Sequence, residues 1–398
     1  MKKTGIIITM LALLISTMPL MAQDDAGEKF NFEIVKKLKS APVRDQYRSG
    51  TCWSFSANSF IEAELLRMGK PEVDLSEMWV VRNAYQEKAE KYIRVHGSLN
   101  FAGGGAFHDV FNVWSKYGAV PEEAYKGLNY GEDKHVHGEL DAVLKKFVEG
   151  VLENDNKKLS TAWKQAFSGI LDAYLGVRPE KFKYNGKEYT PKEFAQSLGF
   201  NPDDYVNLTS YSHHPFYSQF VLEIPDNWAW GLCYNVPLDE LMQVFDNAID
   251  NGYPVCWGAD VSEKGFSWTK GVAVVPAESR PDLDGLERDK WEKLTEKEKN
   301  EKLFSLDRPI PEKEITQEIR QEAFDNYQTT DDHGMVITGI AKDQKGTKYY
   351  LVQNSWNTNN IYEGYFYASE TYVKYKTMNI VVHKDAIPKD LKKKLNIK

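Results

Sequence analysis

Apolar positions in the first half of the chain recur at helical spacing. Trp53, Ala57, Phe60, Ile61, Leu65 and Met68 share one face of a 3.6-residue repeat, which predicts a helix over 52–68 closed by Gly69 and Pro71. A second helix is expected after Ser76, with Asp74 and Glu77 near its positive end. Gly103-Gly104-Gly105 interrupts the pattern, and a further apolar-periodic stretch follows over 107–117. Residues 139–180 also read as helical. Asn185-Gly186, between Lys183-Tyr184 and Lys187-Tyr189, predicts a tight hairpin. Thr190-Pro191-Lys192-Glu193 then forms a capping box with proline at the first helical position. Beyond residue 205 the pattern changes, and 220–224, 255–261, 335–341, 349–354 and 364–368 fit short strands. Between them, 286–324 is heavily charged, carries Pro309 and Pro311, and is expected to be a solvated helical insertion within about 280–328. Helices come first (about 41–200) and a mostly antiparallel sheet or barrel afterwards (about 205–385), an α+β organisation without internal repeats.

The first 22 residues stand apart. Lys2 and Lys3 precede an apolar run over 6–21 that ends at Ala22, the layout of a secretory signal peptide. This predicts export to the periplasm or beyond the cell. The run is short and broken by Pro19, so stable membrane insertion is not expected. The remaining 23–398 begin with a polar leader over 23–40. The chain has 398 residues, 42% of them hydrophobic, which is ample for a core. Its formal net charge of -8 argues against nucleic acid as a partner. Lys389 and Lys392 to Lys394 form the one lysine cluster, expected to be a solvated tail. Three cysteines, Cys52, Cys233 and Cys256, make no disulfide framework; a single Cys233–Cys256 bond is open.

Cys52 is set differently from the other two. The segment Gln46-Tyr47-Arg48-Ser49-Gly50-Thr51-Cys52-Trp53 is a loop leading directly into a helix. A thiol at a helix start feels the positive end of the dipole, and the free N–H groups there suit an oxyanion. Gln46 could fold back as a second oxyanion donor. The base should be a distant histidine. Among eight histidines, His333 opens a predicted strand, and the next strand ends in Asn354-Ser355-Trp356. A hairpin between them would let Asn354 fix the imidazole tautomer while Trp356 shields that hydrogen bond. His135, His137, His213 and His214 lack convincing ligand partners, so no metal is expected, and no phosphate loop or organic cofactor either. Trp228, Trp230, Trp257 and Trp268 are expected in the core.

These residues resemble the papain-like cysteine peptidases, specifically the bleomycin hydrolase and aminopeptidase C family. Asp45-Gln46, Ser49-Gly50 and Cys52-Trp53 are similar to its nucleophile loop. Further similarities lie in Asp74-Leu75-Ser76-Glu77, Gly103-Gly104, Tyr117-Gly118, Val120-Pro121, Tyr189-Thr190-Pro191, Asn235-Val236-Pro237 and Gly252-Tyr253-Pro254-Val255, then His333 and Asn354-Ser355-Trp356. The resemblance implies a papain-like fold with large insertions, peptide substrates and trimming of peptide N-termini. It casts Cys52 as nucleophile, His333 as base and acid, Asn354 as orienter and Gln46 as oxyanion donor. Gly103, Gly104 and Trp356 make up the expected substrate-binding set, and a homo-oligomer such as a hexamer is implied. The sequence departs from the family in its export signal, in Gly334 where alanine is usual, and in a short basic C-terminus where the family has a longer tail in the cleft. That last departure opens an alternative, an endopeptidase with an open cleft. An inactive papain-like binding or assembly protein is the other. Only about thirty residues separate Cys52 from the predicted cleavage point, so no zymogen step is expected.

Overall fold

The computed structural model describes residues 29–155, 158–278, 280 and 282–398. The predicted signal segment lies outside them. The leader enters as strand β1 (Glu33–Lys37), which adds to the edge of a sheet formed mainly by the far end of the chain. Helices α1 (Cys52–Arg67), α2 (Glu77–Arg94) and α3 (Phe107–Tyr117) follow where the periodicity places them. Ser76 caps α2 by accepting the Trp79 N–H. The stretch over 139–180 forms two helices, α4 (Gly138–Leu152) and α5 (Ala162–Leu175). Strands β2 (Phe182–Tyr184) and β3 (Lys187–Tyr189) make the hairpin; Asn185 and Gly186 both have positive φ, as its two-residue turn requires. Helix α6 (Pro191–Leu198) carries the capping box of Thr190 and Glu193.

The second half supplies β4 (Tyr205–Thr209), β5 (Gln219–Val221), β6 (Leu232–Asn235), α7 (Leu238–Asp250), β7 (Val255–Ala259), β8 (Phe266–Ser267) and β9 (Val272–Ala273). After the charged helices α8 (Gly285–Glu292), α9 (Glu296–Leu303) and α10 (Gln317–Asp325) come β10 (His333–Lys342), β11 (Lys348–Gln353), β12 (Tyr365–Ser369), α11 (Glu370–Lys376), β13 (Thr377–His383) and α12 (Lys389–Lys394). The strand path is β5-β6-β4-β13-β7-β10-β11-β12-β9-β8, with β1 paired to β10. It is antiparallel except at β4/β6 and β9/β12. Strand β10 is shared end to end: β7 pairs with 333–337 and β1 with 339–342. At the changeover sits Gly339, where a Cβ would meet the Lys36 carbonyl oxygen at 2.4 Å. The fold is α+β, helices first and a mostly antiparallel sheet after them, the arrangement that the papain-like resemblance implies.

Helix α1 packs on one face of the sheet and α7 on the other. The first core gathers Trp53, Phe60 and Trp79 with Cys256, Val336 and Val381 from the sheet. The second holds Leu241 and Phe245 of α7 against Trp257, Ile337 and Ile380. Three expectations need correction. The lysine-rich end is not a solvated tail: it folds as α12, with Leu391 and Leu395 buried, while Lys392 and Lys394 pair with Asp385 and Glu240. The charged insertion is shorter than 280–328, because α10 is built into the body through fully buried Arg320. Trp230 is half exposed, beneath the ammonium of Lys91, rather than in the core. Cys233 and Cys256 are buried free thiols on β6 and β7, with no bond between them. Among the described residues, no helix is long and apolar enough to cross a membrane.

Candidate active site

Cys52 is the first residue of α1, held at the start of the helix because the preceding loop is locked from both sides. The Gln46 backbone N–H donates to the Ser355 carbonyl (2.9 Å), and the Gln46 side chain accepts from Ser355 Oγ (2.7 Å) while donating to the Ser49 carbonyl (2.9 Å). The Ser49 hydroxyl returns a bond to the Gln46 carbonyl at 2.8 Å. One amide N–H of Gln46 is therefore left to aim elsewhere. This loop ties Cys52 on the helical half to the 354–356 segment on the sheet half.

His333 opens β10, and its Nε2 lies 2.6 Å from Asn354 Oδ1 at the end of β11. The Asn354 oxygen also accepts the Ser355 N–H at 2.8 Å. With Asn354 Oδ1 accepting, Nε2 carries the hydrogen and Nδ1 is the nitrogen left to take a proton. Trp356 stacks over the imidazole with ring centroids 4.5 Å apart, and Phe266 and Trp268 meet Trp356 edge-on. The indole thus covers the His–Asn bond and keeps water from it.

Cys52 and His333 line one cavity of about 20 Å³, shared with Gly105, Phe107, Asp226, Asp331 and Gly334. Burial pushes the Cys52 thiol up to about 12, the Gly334 N–H opposing this and Asp331 and Asp226 adding to it. Burial also lowers His333 to about 4, against the pull of its bond to Asn354. Each charge alone is disfavoured here. Transfer of the thiol proton to Nδ1 creates both at once, and their mutual attraction, with the positive end of α1 behind the sulfur, offsets the loss of solvent.

The glycine run behaves differently from expectation. Gly103 turns away from the cavity: its carbonyl accepts from Trp53 Nε1 and from the Tyr85 hydroxyl, both at 3.1 Å, and a Cβ there would crowd Asp141 Oδ2 and the Tyr85 hydroxyl, both at 3.2 Å. Gly104 lies directly under Asp226. Gly105 is the member that lines the cavity. Buried Lys88 fixes the run by donating to the carbonyls of Ala102 (2.9 Å) and Gly104. The alanine-to-glycine departure at 334 has a steric cause, since a Cβ would meet Ser56 Oγ at 2.6 Å and the Phe107 ring at 2.9 Å. Sequence reasoning missed Lys88, Gly105, Asp226, Asp331 and Asp332. The last two precede His333 directly and could have been noticed; Lys88 and Asp226 carry no local signal.

His213, His214 and Glu223 come together, with Nε2 of each histidine on a different Glu223 oxygen (3.1 and 2.9 Å). His213 Nδ1 also meets Gln321, and His214 stacks on Phe220. These contacts satisfy the rings as a packed surface cluster. His135 and His137 are buried in the helical half, where burial lowers both to about 4.

A family model described as the Peptidase C1-like family matches residues 13–299 and 300–398. Aminopeptidase C of Lactobacillus helveticus is 24% identical over 400 residues, spanning 90% of this chain and 82% of the relative. Aminopeptidase C of Listeria monocytogenes is 24% identical over 394 residues, with 88% and 81% covered. Aminopeptidase G of Lactobacillus delbrueckii subsp. lactis is 24% identical over 394 residues, with 89% and 83% covered. The crystal structure of PepW from Lactobacillus rhamnosis superposes with a TM-score of 0.68 at 20% identity, over 92% of this chain and 84% of that one.

Proposed function

The chain belongs to the Peptidase C1-like family, and from that premise we propose that it is an exported cysteine aminopeptidase, with Cys52 as nucleophile and His333 as its base. The observation that carries the chemistry is the short His333–Asn354 bond beside the helix-start cysteine in one cavity. Cys52 gives its proton to His333 Nδ1, and the sulfur adds to the carbonyl carbon of the scissile bond. The negative oxygen that forms is met by the Cys52 backbone N–H and the free amide N–H of Gln46. His333 then passes its proton to the leaving amine, so that the C–N bond breaks and a thioester remains. Water, deprotonated by the same imidazole, releases the acid and restores the thiol. Asn354 and Trp356 act through the imidazole, by holding its tautomer and excluding water.

The aminopeptidase reading is supported by the names of the relatives and by the blocked space beside Gly104. Export rests on Lys2, Lys3 and the apolar run ending at Ala22; N-terminal sequencing of protein from a periplasmic or culture fraction tests it, with recovery of an intact Met1 terminus against it. The activity is tested with paired fluorogenic substrates, one with a free N-terminus and one blocked, on the wild type and on Cys52→Ala. Cleavage of the free form that vanishes in Cys52→Ala is expected. Equal cleavage of the blocked form would replace the aminopeptidase with an endopeptidase, and no Cys52-dependent cleavage would favour a binding protein.

A further inference from the structure

The cavity at Cys52 is walled on one side by the segment 222–231, which leaves the sheet and crosses onto the helical half. This loop is rigidly built. Asn227 is buried and donates to the carbonyls of Leu222 and Gly231 (both 3.0 Å), and accepts the Gly231 N–H at 2.7 Å. Trp228 is buried in the helical core, Trp230 sits under the Lys91 ammonium at 3.6 Å, and Gly231 abuts the His108 ring. The loop delivers one carboxylate to the cleft. Asp226 lies so close over Gly104 that a Cβ on the glycine would be 2.0 Å from Oδ2 and 2.4 Å from Oδ1. Asn100 Nδ2 donates to Oδ1 at 3.3 Å, so Oδ2 keeps its lone pairs for another donor.

A second carboxylate faces the same space. Asp331 has no hydrogen-bond or ion-pair partner in the described structure, and it raises the Cys52 thiol jointly with Asp226. Asp332, by contrast, is already used, accepting from the Val261 and Ser262 N–H groups. The one nearby lysine, Lys88, spends its donors on the carbonyls of Ala102 and Gly104. The cleft therefore sets two carboxyls within reach of the nucleophile, in a cavity of about 20 Å³, room for about one water or one ammonium head. Burial raises both, Asp331 to about 8 so that it keeps its proton in the free enzyme, and Lys88 offsets only Asp226, which leaves the pair without a full counter-charge. A bound cation is the group that would satisfy it.

The side of the cleft is set by the chemistry. His333, under Trp356, serves the leaving amine, and Gln46 with the Cys52 N–H serves the oxyanion. The remaining side, toward Gly105 and Asp226, receives the acyl residue. We infer that Asp226, with Asp331 beside it, binds the free α-ammonium of the peptide's first residue, and that the 222–231 loop stops the chain from extending past that residue. This rests on the peptidase reading above and supplies its exopeptidase specificity from within the body of the fold. An acetylated terminus would bring an amide with no positive charge against two carboxylates.

Asp226→Asn keeps the shape of the side chain and its contact with Asn100, and Gly104→Ala pushes the carboxylate aside without touching it chemically. Each is assayed on Ala-aminomethylcoumarin, on the acetyl-Ala form, and on acetyl-Lys-Ala-aminomethylcoumarin, which carries a cation on an inner residue. Alkylation of Cys52 by neutral iodoacetamide reports an intact thiol and fold. The wild type should prefer the free amine over its acetyl form by about 100-fold or more, and either variant should lower kcat/KM on the free amine by about 10- to 100-fold, chiefly through KM, with alkylation of Cys52 retained and, in Asp226→Asn, no slower than in the wild type, because that carboxylate raises the thiol. Activity on the acetyl form should hold, so that the preference collapses. A preference that survives both substitutions overturns the anchor while leaving the peptidase standing. Wild-type cleavage of acetyl-Lys-Ala-aminomethylcoumarin as fast as of the free amine also overturns it, because the carboxylates would then read a side chain. Absence of any Cys52-dependent cleavage would fail the peptidase reading itself.

Discussion

Two clusters of buried charge, one in each half of this molecule, are handled in opposite ways. The sheet half buries cations and satisfies them. Arg320 is fully enclosed and donates to the carbonyls of Ser210 (2.8 Å), Lys374 (3.0 Å), Tyr375 (3.3 Å) and Thr377, with its plane over the Tyr211 ring. Lys376, almost as buried, reaches Glu263, the Gln328 carbonyl and Thr329. The helical half encloses Arg82 and Lys88, each with hydrogen-bond partners, but at the junction of α1 and α2 it buries a group of carboxyls and leaves them short of partners. Glu62 accepts the Leu75 N–H at 2.8 Å with one oxygen, but its other oxygen and one oxygen of Glu122 have no hydrogen bond among the described residues. Burial pushes both up to about 8, and Glu77 is raised by burial and by these two neighbours. A satisfied buried cation fixes geometry at all ordinary pH values. An unsatisfied buried carboxyl is stable only while it holds its proton, so this cluster should weaken the fold as pH rises.

The hardest test of the contrast is Arg320→Met. The change removes the donor but leaves four inward-facing carbonyls without their partner, three of them around the junction of α11 and β13. The expected loss is about 3–5 kcal/mol in urea unfolding. A loss under about 1 kcal/mol would mean that the carbonyls find water, and that α10 is attached to the body rather than part of it.

Next in size is a pH effect on the helical half. A carboxyl whose folded value is about 8 stays protonated when folded over a range where the unfolded chain, titrating near 4.5, has lost its proton. The folded state then binds more protons, so its contribution is fully present near or below pH 4.5 and is lost as pH rises to about 8. Stability should therefore decline across this window, and Glu62→Gln should flatten the decline and raise stability at pH 8 by about 1–3 kcal/mol. Unfolding midpoints at pH 5 and pH 8 decide this; an unchanged slope in Glu62→Gln would place the source of the decline elsewhere.

What the sequence disclosed follows the range over which each feature is determined. Helices α1 and α3, the Asn185-Gly186 hairpin and the Thr190 cap rest on residues within a few positions of one another, and they appear where the pattern puts them. The trio of Cys52, His333 and Asn354 could be suspected because each sits at the end of such an element. Strand β1 was hidden because Glu33, Lys36 and Lys37 make an edge strand polar, and only its pairing with β10 orders it. Strand β13 and helix α11 were passed over although β13 is central, since its two flanking strands come from more than a hundred residues away. Helix α7 did carry Leu241, Phe245, Ala248 and Ile249 at helical spacing, and was obscured by the expectation of a strand-rich half. Asp226 was the least legible. A Pro-Asp-Asn turn looks like any surface loop, and only the path of 222–231 across the helical half brings it over Gly104.

The smallest predicted effect separates α9 from α10, two helices of one charged segment that composition alone does not distinguish. Thr295 and Glu298 form a reciprocal cap on α9: the Thr295 N–H meets Glu298 Oε2 at 2.8 Å, and Thr295 Oγ1 accepts the Glu298 N–H at 3.3 Å. Leu303 is the one buried residue of α9, whereas α10 inserts Arg320, Gln321 and Ala323. Loss of a cap costs a helix about 0.5–1 kcal/mol, but a helix with so little buried surface opens before the core does, so the cost stays local. Thr295→Ala should speed amide exchange over 296–303 several-fold while moving the global unfolding midpoint by less than about 0.5 kcal/mol equivalent and leaving peptide cleavage unchanged. If the global midpoint instead fell as far as in Arg320→Met, the charged segment would be one cooperative unit with the sheet, and the boundary between solvated insertion and body would have to move back to residue 285.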